Sequence, residues 1–384
     1  MTEADRAFVG AEIFDGTTLS AGRALLIRGT EVAAILPEGD LPEGVDVTPL
    51  SGVLAPGFVD LQVNGGGGVM FNGAQDVATL ATMAEAHGRL GAAAILPTLI
   101  TDTFERTEAA IAAVRKAVAA GVPGIAGLHL EGPHLSVARK GAHDPSLIRP
   151  MDERDLALLT RAARALPALM LTVAPESVSN EQIAALAEAG AVVSLGHTDT
   201  DFDTCRAAAD AGARCVTHLF NAMSQMGHRA PGVVGAALAD GRLSAGLIAD
   251  LLHVHPAALA TALRAKQGPG RIFLVSDAMA PAGTEDDHFV LNGRRIIRRD
   301  GRLTLADGTL AGADLDLATA IRNLVEVIGH PREATLAMAT SVPAALMGID
   351  DRFGHLAAGR AADFVHLEPG GALAGVWRAG QKVA

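Results

Sequence analysis

Along the middle of the chain, uninterrupted apolar runs alternate with amphipathic ones. The apolar runs fall at 57–63, 93–98, 125–130, 169–174, 191–196, 213–217, 244–249 and 271–276. Between them lie Ala/Leu/Glu/Arg-rich segments with apolar residues at helical spacing, among them 76–90, 103–120, 152–165, 180–189 and 256–266. Thr103 and Asn180 stand where a side-chain oxygen can accept a free backbone N–H, and so mark helix starts. A strand that is apolar at every position is covered on both faces, the condition of a parallel sheet flanked by helices. Eight such units predict an α/β fold, a (β/α)8 barrel of the TIM type. The runner-up, a doubly wound open sheet, lacks the G-x-G-x-x-G expected after its first strand.

The two ends have a different pattern. Short apolar pieces at 24–27 and 31–36, with Gly29, Gly39 and Gly44 between runs, read as strands, as do 363–367 and 375–377. They predict a small β-sandwich domain built from 1–54 and 355–384, around a barrel at 55–354. After Asp277, the segment 289–305 carries Asn292-Gly293 and Asp300-Gly301, which predict a pair of inserted hairpins. Two further helices are expected over 314–328 and 331–347.

Composition adds limits rather than detail. Hydrophobic residues make up 49% and charged ones 19%, enough for a large core and too few charges for disorder. The net charge of -12, from 31 basic and 43 acidic side chains, argues against nucleic acid or an anionic membrane as partner. An anionic small molecule stays open, because a local set of donors can override the global field. Cys205 and Cys215 make a poor disulfide framework, so a reducing, cytoplasmic location is expected. Residues 1–10 carry Glu3, Asp5 and Arg6 and do not read as a signal peptide; no run of the ~18 apolar residues of a membrane span occurs.

The chemistry shows in where the polar residues stand. A barrel strand should be apolar until it emerges at its C-terminal end, where catalytic groups belong. Here strand one ends Asp60-Leu61-Gln62-Val63-Asn64 before Gly65–Gly68, and strand three ends His129-Leu130-Glu131. Strand five ends in His197, six in His218, seven in Asp250 with His253 close behind, and eight in Asp277. Any one has a bland explanation as a helix cap, a structural histidine or a tight glycine turn. Their recurrence at one register favours a shared metal site, since carboxylate with imidazole suits Zn, Fe, Co or Ni. His129 and Glu131 alternate along a strand and point the same way, with Glu131 nearer the rim. His134 and His143 lie in the long loop 133–150, a candidate cover for a substrate, with His134 expected to be an exposed surface imidazole.

These residues resemble those of a known family. Pro56-Gly57-Phe58-Val59-Asp60, His129-Leu130-Glu131-Gly132-Pro133, Leu195-Gly196-His197-Thr198, 217–223 (Thr-His-Leu-Phe-Asn-Ala-Met) and 275–283 (Val-Ser-Asp-Ala-Met-Ala-Pro-Ala-Gly) are similar to the N-acetylglucosamine-6-phosphate deacetylases of the amidohydrolase superfamily. The closing segment 354–363 also resembles the superfamily's return into its small domain. The resemblance implies Glu131, His197 and His218 as ligands of one divalent metal per subunit, zinc first and Fe, Co, Ni or Mn as alternatives. It implies Asp277 as catalytic acid and base, with His143 helping to stabilise the oxyanion, and Ala142 and His143 touching substrate. It places Asn221, Ala222 and Arg229, with His228, at a sugar phosphate, His253 at the sugar, and Leu310, Ala311 and Gly312 in a lining loop. A homodimer or homotetramer is implied, in which the Arg229 position can serve the neighbouring subunit.

Two departures stand out. Many relatives carry His-x-His at the end of strand one for a second metal, whereas Gln62 and Asn64 occupy those places here, which predicts a single metal. The usual Asp-Gly-x-His reads Asp250-Leu251-Leu252-His253. The expected reaction is hydrolysis of N-acetyl-D-glucosamine 6-phosphate to D-glucosamine 6-phosphate and acetate. The alternatives are a related substrate, such as N-acetylgalactosamine 6-phosphate or a cyclic amide, a phosphosugar-binding sensor, or a non-catalytic barrel.

Overall fold

The structure, a computed structural model, describes residues 5–384. Eight parallel strands form one sheet in chain order: β1 (Phe58–Val63), β2 (Ala92–Ile100), β3 (Leu128–Glu131), β4 (Leu169–Val173), β5 (Val192–Leu195), β6 (Cys215–Val216), β7 (Ser244–Leu247) and β8 (Ile272–Leu274). Nearly every residue in them is buried, as two-sided cover requires. The ring closes between its first and last members just beyond β8. Asp277 donates its N–H to Gln62 O at 3.1 Å, and Val63 bridges to Ala278 in parallel.

The expected helices form as α1 (Val77–Arg89), α2 (Phe104–Ala119), α3 (Glu153–Ala165) and α4 (Asn180–Glu188) and, after α5 (Phe202–Ala211) and α6 (Gly232–Ala239), as α7 (Pro256–Ala265). Thr103 caps α2 as expected. Asn180 is not a cap: Ser179 holds that place, its hydroxyl taking the Gln182 N–H while the Gln182 side chain returns to the Ser179 N–H. Sequence spacing did not mark out α6, whose Gly-Val-Val-Gly-Ala-Ala-Leu-Ala is buried at all but one position and so has no polar face to create a period.

The expected helix over 331–347 is two helices, Arg332–Met338 and Ser341–Met347. Pro343 explains the break, since its ring collides with the carbonyl four residues back, at Ala339, if the helix runs through. The segment after Asp277 holds the two hairpins and one strand more: His288–Leu291, Arg294–Arg299, Arg302–Thr304 and Leu310–Ala313 pair antiparallel as a flap. Its apolar side, with Phe289, Leu291, Ile296, Leu303 and Ala311, packs on Met70, Ile100, Met279 and Ala280 at the barrel mouth.

Both termini build two further sheets. One orders Glu31–Pro37, Arg23–Arg28, Arg6–Val9 and Asp46–Pro49; the other orders Gln381–Lys382, Leu373–Arg378, Phe364–Leu367, Val53–Pro56, Glu12–Phe14 and Leu19–Ser20. Val53–Pro56 pairs antiparallel with Phe364–Leu367, so this sheet reaches two residues past position 54. Phe364 stacks on Trp377 at 4.7 Å between centroids, and Phe8 meets both edge-on. Trp377→Ala is expected to lower the unfolding free energy by about 3 kcal/mol, measured by denaturant melts. Activity of the folded fraction should be unchanged, since this cluster lies apart from the barrel mouth.

Candidate active site

Four strand ends bring their polar residues together. Glu131 closes β3, while His197, His218 and Asp277 follow β5, β6 and β8 directly. His197, His218 and Asp277 all have left-handed backbone, with φ of 47°, 26° and 50°. Such geometry costs a non-glycine residue about 1 kcal/mol, and strain of this kind gathers where function holds it.

Glu131 Oε1 lies 3.2 Å from His197 Nε2 and 3.1 Å from His218 Nε2, and the two nitrogens are 3.1 Å apart. A zinc ion with bonds near 2.0 Å in tetrahedral geometry separates its ligand atoms by about 3.3 Å, so these three donors already form one face of such a site. His197 Nδ1–H donates to Arg139 O at 2.8 Å, which leaves the Nε2 lone pair turned inward, as a ligand requires. Burial by itself would raise Glu131, but hydrogen bonds and charge from His197 and His218 hold its carboxyl well below the usual range. The donors of Glu131, His143 and His197 also lie within 4.8 Å of one another. The residues present therefore fit a divalent cation.

Asp277 stands beside this triangle. Burial, then the charge of Glu131, pushes its carboxyl up to about 6. Asn64 Nδ2 donates to Asp277 Oδ1 at 2.7 Å, and Gln62 Nε2 donates to Glu131 Oε1 at 3.1 Å. The two amides at the end of β1 thus each hold one carboxylate. His143 Nδ1 is 2.7 Å from the Thr101 hydroxyl, its Nε2 is 3.8 Å from Glu131 Oε2, and burial keeps the ring neutral, down to about 3.

A cavity of about 410 Å³ opens over these groups. Ala142, Asn221, Ala222, His253, Leu310 and Gly312 line it. Asp250 Oδ2 lies 2.6 Å from His253 Nδ1, which turns Nε2 of that ring away from Asp250. Leu251, where Gly is usual, keeps the left-handed backbone at φ 65°. Leucine therefore carries a conformation that glycine adopts freely.

Other candidates lie elsewhere. Ala311 is fully buried on the apolar side of the flap, because strand alternation turns it opposite to Leu310 and Gly312. Arg229 and His228 are exposed and do not line the cavity; among the described residues no lysine or arginine does. His134, expected at the surface, is buried at 3% side-chain exposure, its Nδ1 3.1 Å from Arg149 O and its Nε2 3.8 Å from Asp155. His129 belongs to the barrel interior. Its Nδ1–H donates to Leu61 O at 3.0 Å, Nε2 accepts from Thr172 at 2.7 Å, and burial holds it neutral, down to about 4. Gly308 and Thr309, at the flap tip, line the cavity without any signal in the sequence pattern.

A model of the amidohydrolase family matches residues 53–383. The chain belongs to the amidohydrolase family. This amidohydrolase is 43% identical over 331 residues to the N-acetylgalactosamine-6-phosphate deacetylase of Shewanella sp. (strain ANA-3), covering 86% of this chain and 83% of the relative. It is 34% identical over 350 residues to the N-acetylglucosamine-6-phosphate deacetylase of Haemophilus influenzae, 90% of this chain and 91% of that one. The crystal structure of the Pasteurella multocida N-acetylglucosamine-6-phosphate deacetylase superposes with a TM-score of 0.93 at 35% identity, covering 99% of this amidohydrolase and 100% of that chain.

Proposed function

We propose that this amidohydrolase cleaves the acetamide of N-acetyl-D-glucosamine 6-phosphate, giving D-glucosamine 6-phosphate and acetate. The observation that carries the reading is the buried Asp277 carboxylate standing beside the Glu131–His197–His218 triangle at the floor of the cavity. Glu131, His197 and His218 would hold one divalent ion per subunit, zinc first and Fe, Co, Ni or Mn as alternatives. The ion supplies Lewis acidity, lowering the pKa of water to about 7 and polarising a carbonyl. Gln62 and Asn64 offer neutral amides already engaged with Glu131 and Asp277, which supports one ion rather than two.

Asp277, raised towards neutrality, takes a proton from the attacking water and hands it to the departing nitrogen. The Thr101 hydroxyl can donate to His143 Nδ1, leaving Nε2–H to donate to the acetyl oxygen as it becomes an oxyanion. Ala142, Asn221, Ala222, His253, Leu310 and Gly312 would shape the sugar site. With no lysine or arginine lining the cavity among the described residues, the exposed Arg229 and His228 are assigned to the phosphate of a neighbouring subunit in a homodimer or homotetramer. A cytoplasmic location fits a phosphorylated substrate.

The Shewanella relative favours a second reading, N-acetyl-D-galactosamine 6-phosphate. Acetate release from both epimers under steady state separates the two. We expect the larger kcat/KM with the gluco epimer; a reversed ratio would assign the galacto epimer, and no acetate from either would refute the deacetylase reading.

A further inference from the structure

Asn64 is 2% exposed and lines the cavity, and its side chain has two unlike ends. Nδ2 donates to Asp277 Oδ1 at 2.7 Å, whereas Oδ1 is buried and has no partner among the described residues. The amide cannot turn over to relieve this, because the carbonyl oxygen would then face an ionised carboxylate. Its backbone is fixed as well. Asn64 N–H donates to Ala278 O at 2.8 Å, its carbonyl accepts from Phe71 N–H at 3.0 Å, and the next carbonyl, of Gly65, meets His87 Nε2 at 2.8 Å. A buried acceptor left open by so rigid a frame calls for a donor that arrives with the ligand.

We propose that Asn64 is a catalytic residue whose Oδ1 accepts the N–H of the scissile amide while its Nδ2 holds the Asp277 carboxylate. This rests on the deacetylase reading and deepens it. The acetamide N–H is the only N–H donor of the proposed substrate, and it sits on the atom Asp277 must protonate. Water adds its hydroxyl to the acetyl carbon and gives its proton to Asp277. Asp277 then passes that proton to the nitrogen, the C–N bond breaks with its electron pair going to nitrogen, and acetic acid and the free amine result. Throughout, the original N–H stays on Asn64 Oδ1. The nitrogen lone pair that develops as the carbon becomes tetrahedral is thereby turned to the acid and not to the wall. One amide side chain aligns both partners of the proton transfer, which neither an alkyl side chain nor a cation at this position could do.

The test compares two tetrahedral methyl-phosphorus analogues of the substrate, one joined to the sugar through P–NH and one through P–O, by their inhibition constants. Wild type is expected to prefer the P–NH analogue by about 10- to 100-fold. Asn64→Leu, similar in size and unable to hydrogen-bond, should lose that preference while keeping its metal content and melting temperature. Asn64→Ser, measured alongside in case Leu does not fold, keeps an oxygen acceptor and should retain part of it. No preference in wild type, or full preference in the Leu variant, would overturn the assignment. Failure of wild type to bind either analogue or to release acetate would instead bring down the deacetylase reading and this assignment with it.

Discussion

Asp277→Asn is expected to lower kcat/KM by about 10³-fold or more while leaving metal content, KM and melting temperature near wild type. General acid–base catalysis contributes roughly 10²- to 10⁴-fold, and here one carboxylate serves both proton transfers, so the upper part of that range applies. The amide of Asn fits the same space beside Asn64, but it cannot take a proton from water. The pH profile gives an independent reading. Burial and the charge of Glu131 raise Asp277 to about 6, and a bound cation pulls it back down. Activity needs the ionised form, so the acid limb of kcat/KM should lie at or below about 6, with activity lost as pH falls through it. Residual Asn-variant activity should lack that limb. Full activity in the Asn variant would remove Asp277 from the mechanism.

The second large effect is expected at Glu131. It is the one anionic member of the triangle, and both imidazoles address its Oε1. Glu131→Gln keeps the shape, removes the charge, and places an amide where Gln62 already donates. Metal affinity should fall by more than the 10- to 100-fold typical of changes outside the ligand set. After dialysis against a weak chelator, metal analysis should find the wild type loaded and the variant nearly empty, with activity lost in proportion. Added zinc should raise the melting temperature of wild type and leave the variant unmoved. A fully loaded, stable variant would show that the ion sits elsewhere, for instance on a set centred on His143.

Much of this was visible in the sequence because the barrel imposes a simple rule. Strands three, five, six and eight, apolar until their C-terminal ends, already offered Glu131, His197, His218 and Asp277 at one register. What escaped was whatever depends on neighbours remote along the chain. Asn64 meets Asp277 because the ring closes, and Gln62 meets Glu131 across the intervening β2; the resemblance offered both amides as absent histidines rather than as donors to the two carboxylates. His134 looked like a surface loop residue, yet the Arg149–Asp155 ion pair beside it is part of what buries it. The side to which Ala311 turns depends on the phase of a four-residue strand, too short for a periodic signal. The α6 helix lacked the amphipathic contrast on which sequence reading depends.

The seam between Val63 and Ala278 has a consequence in time. A ribosome delivers this chain from its N-terminus, so Glu131, His197 and His218 are available well before residue 277 is made. On the proposed reading, Asp277 is therefore the last of the four groups to be synthesised. Its carboxylate meets Asn64 only where the last strand lies against the first, and Gln62 and Asn64 come from the end of the first strand of the barrel. The hydrogen bonds that close the ring are the same ones that bring Asp277 to Asn64.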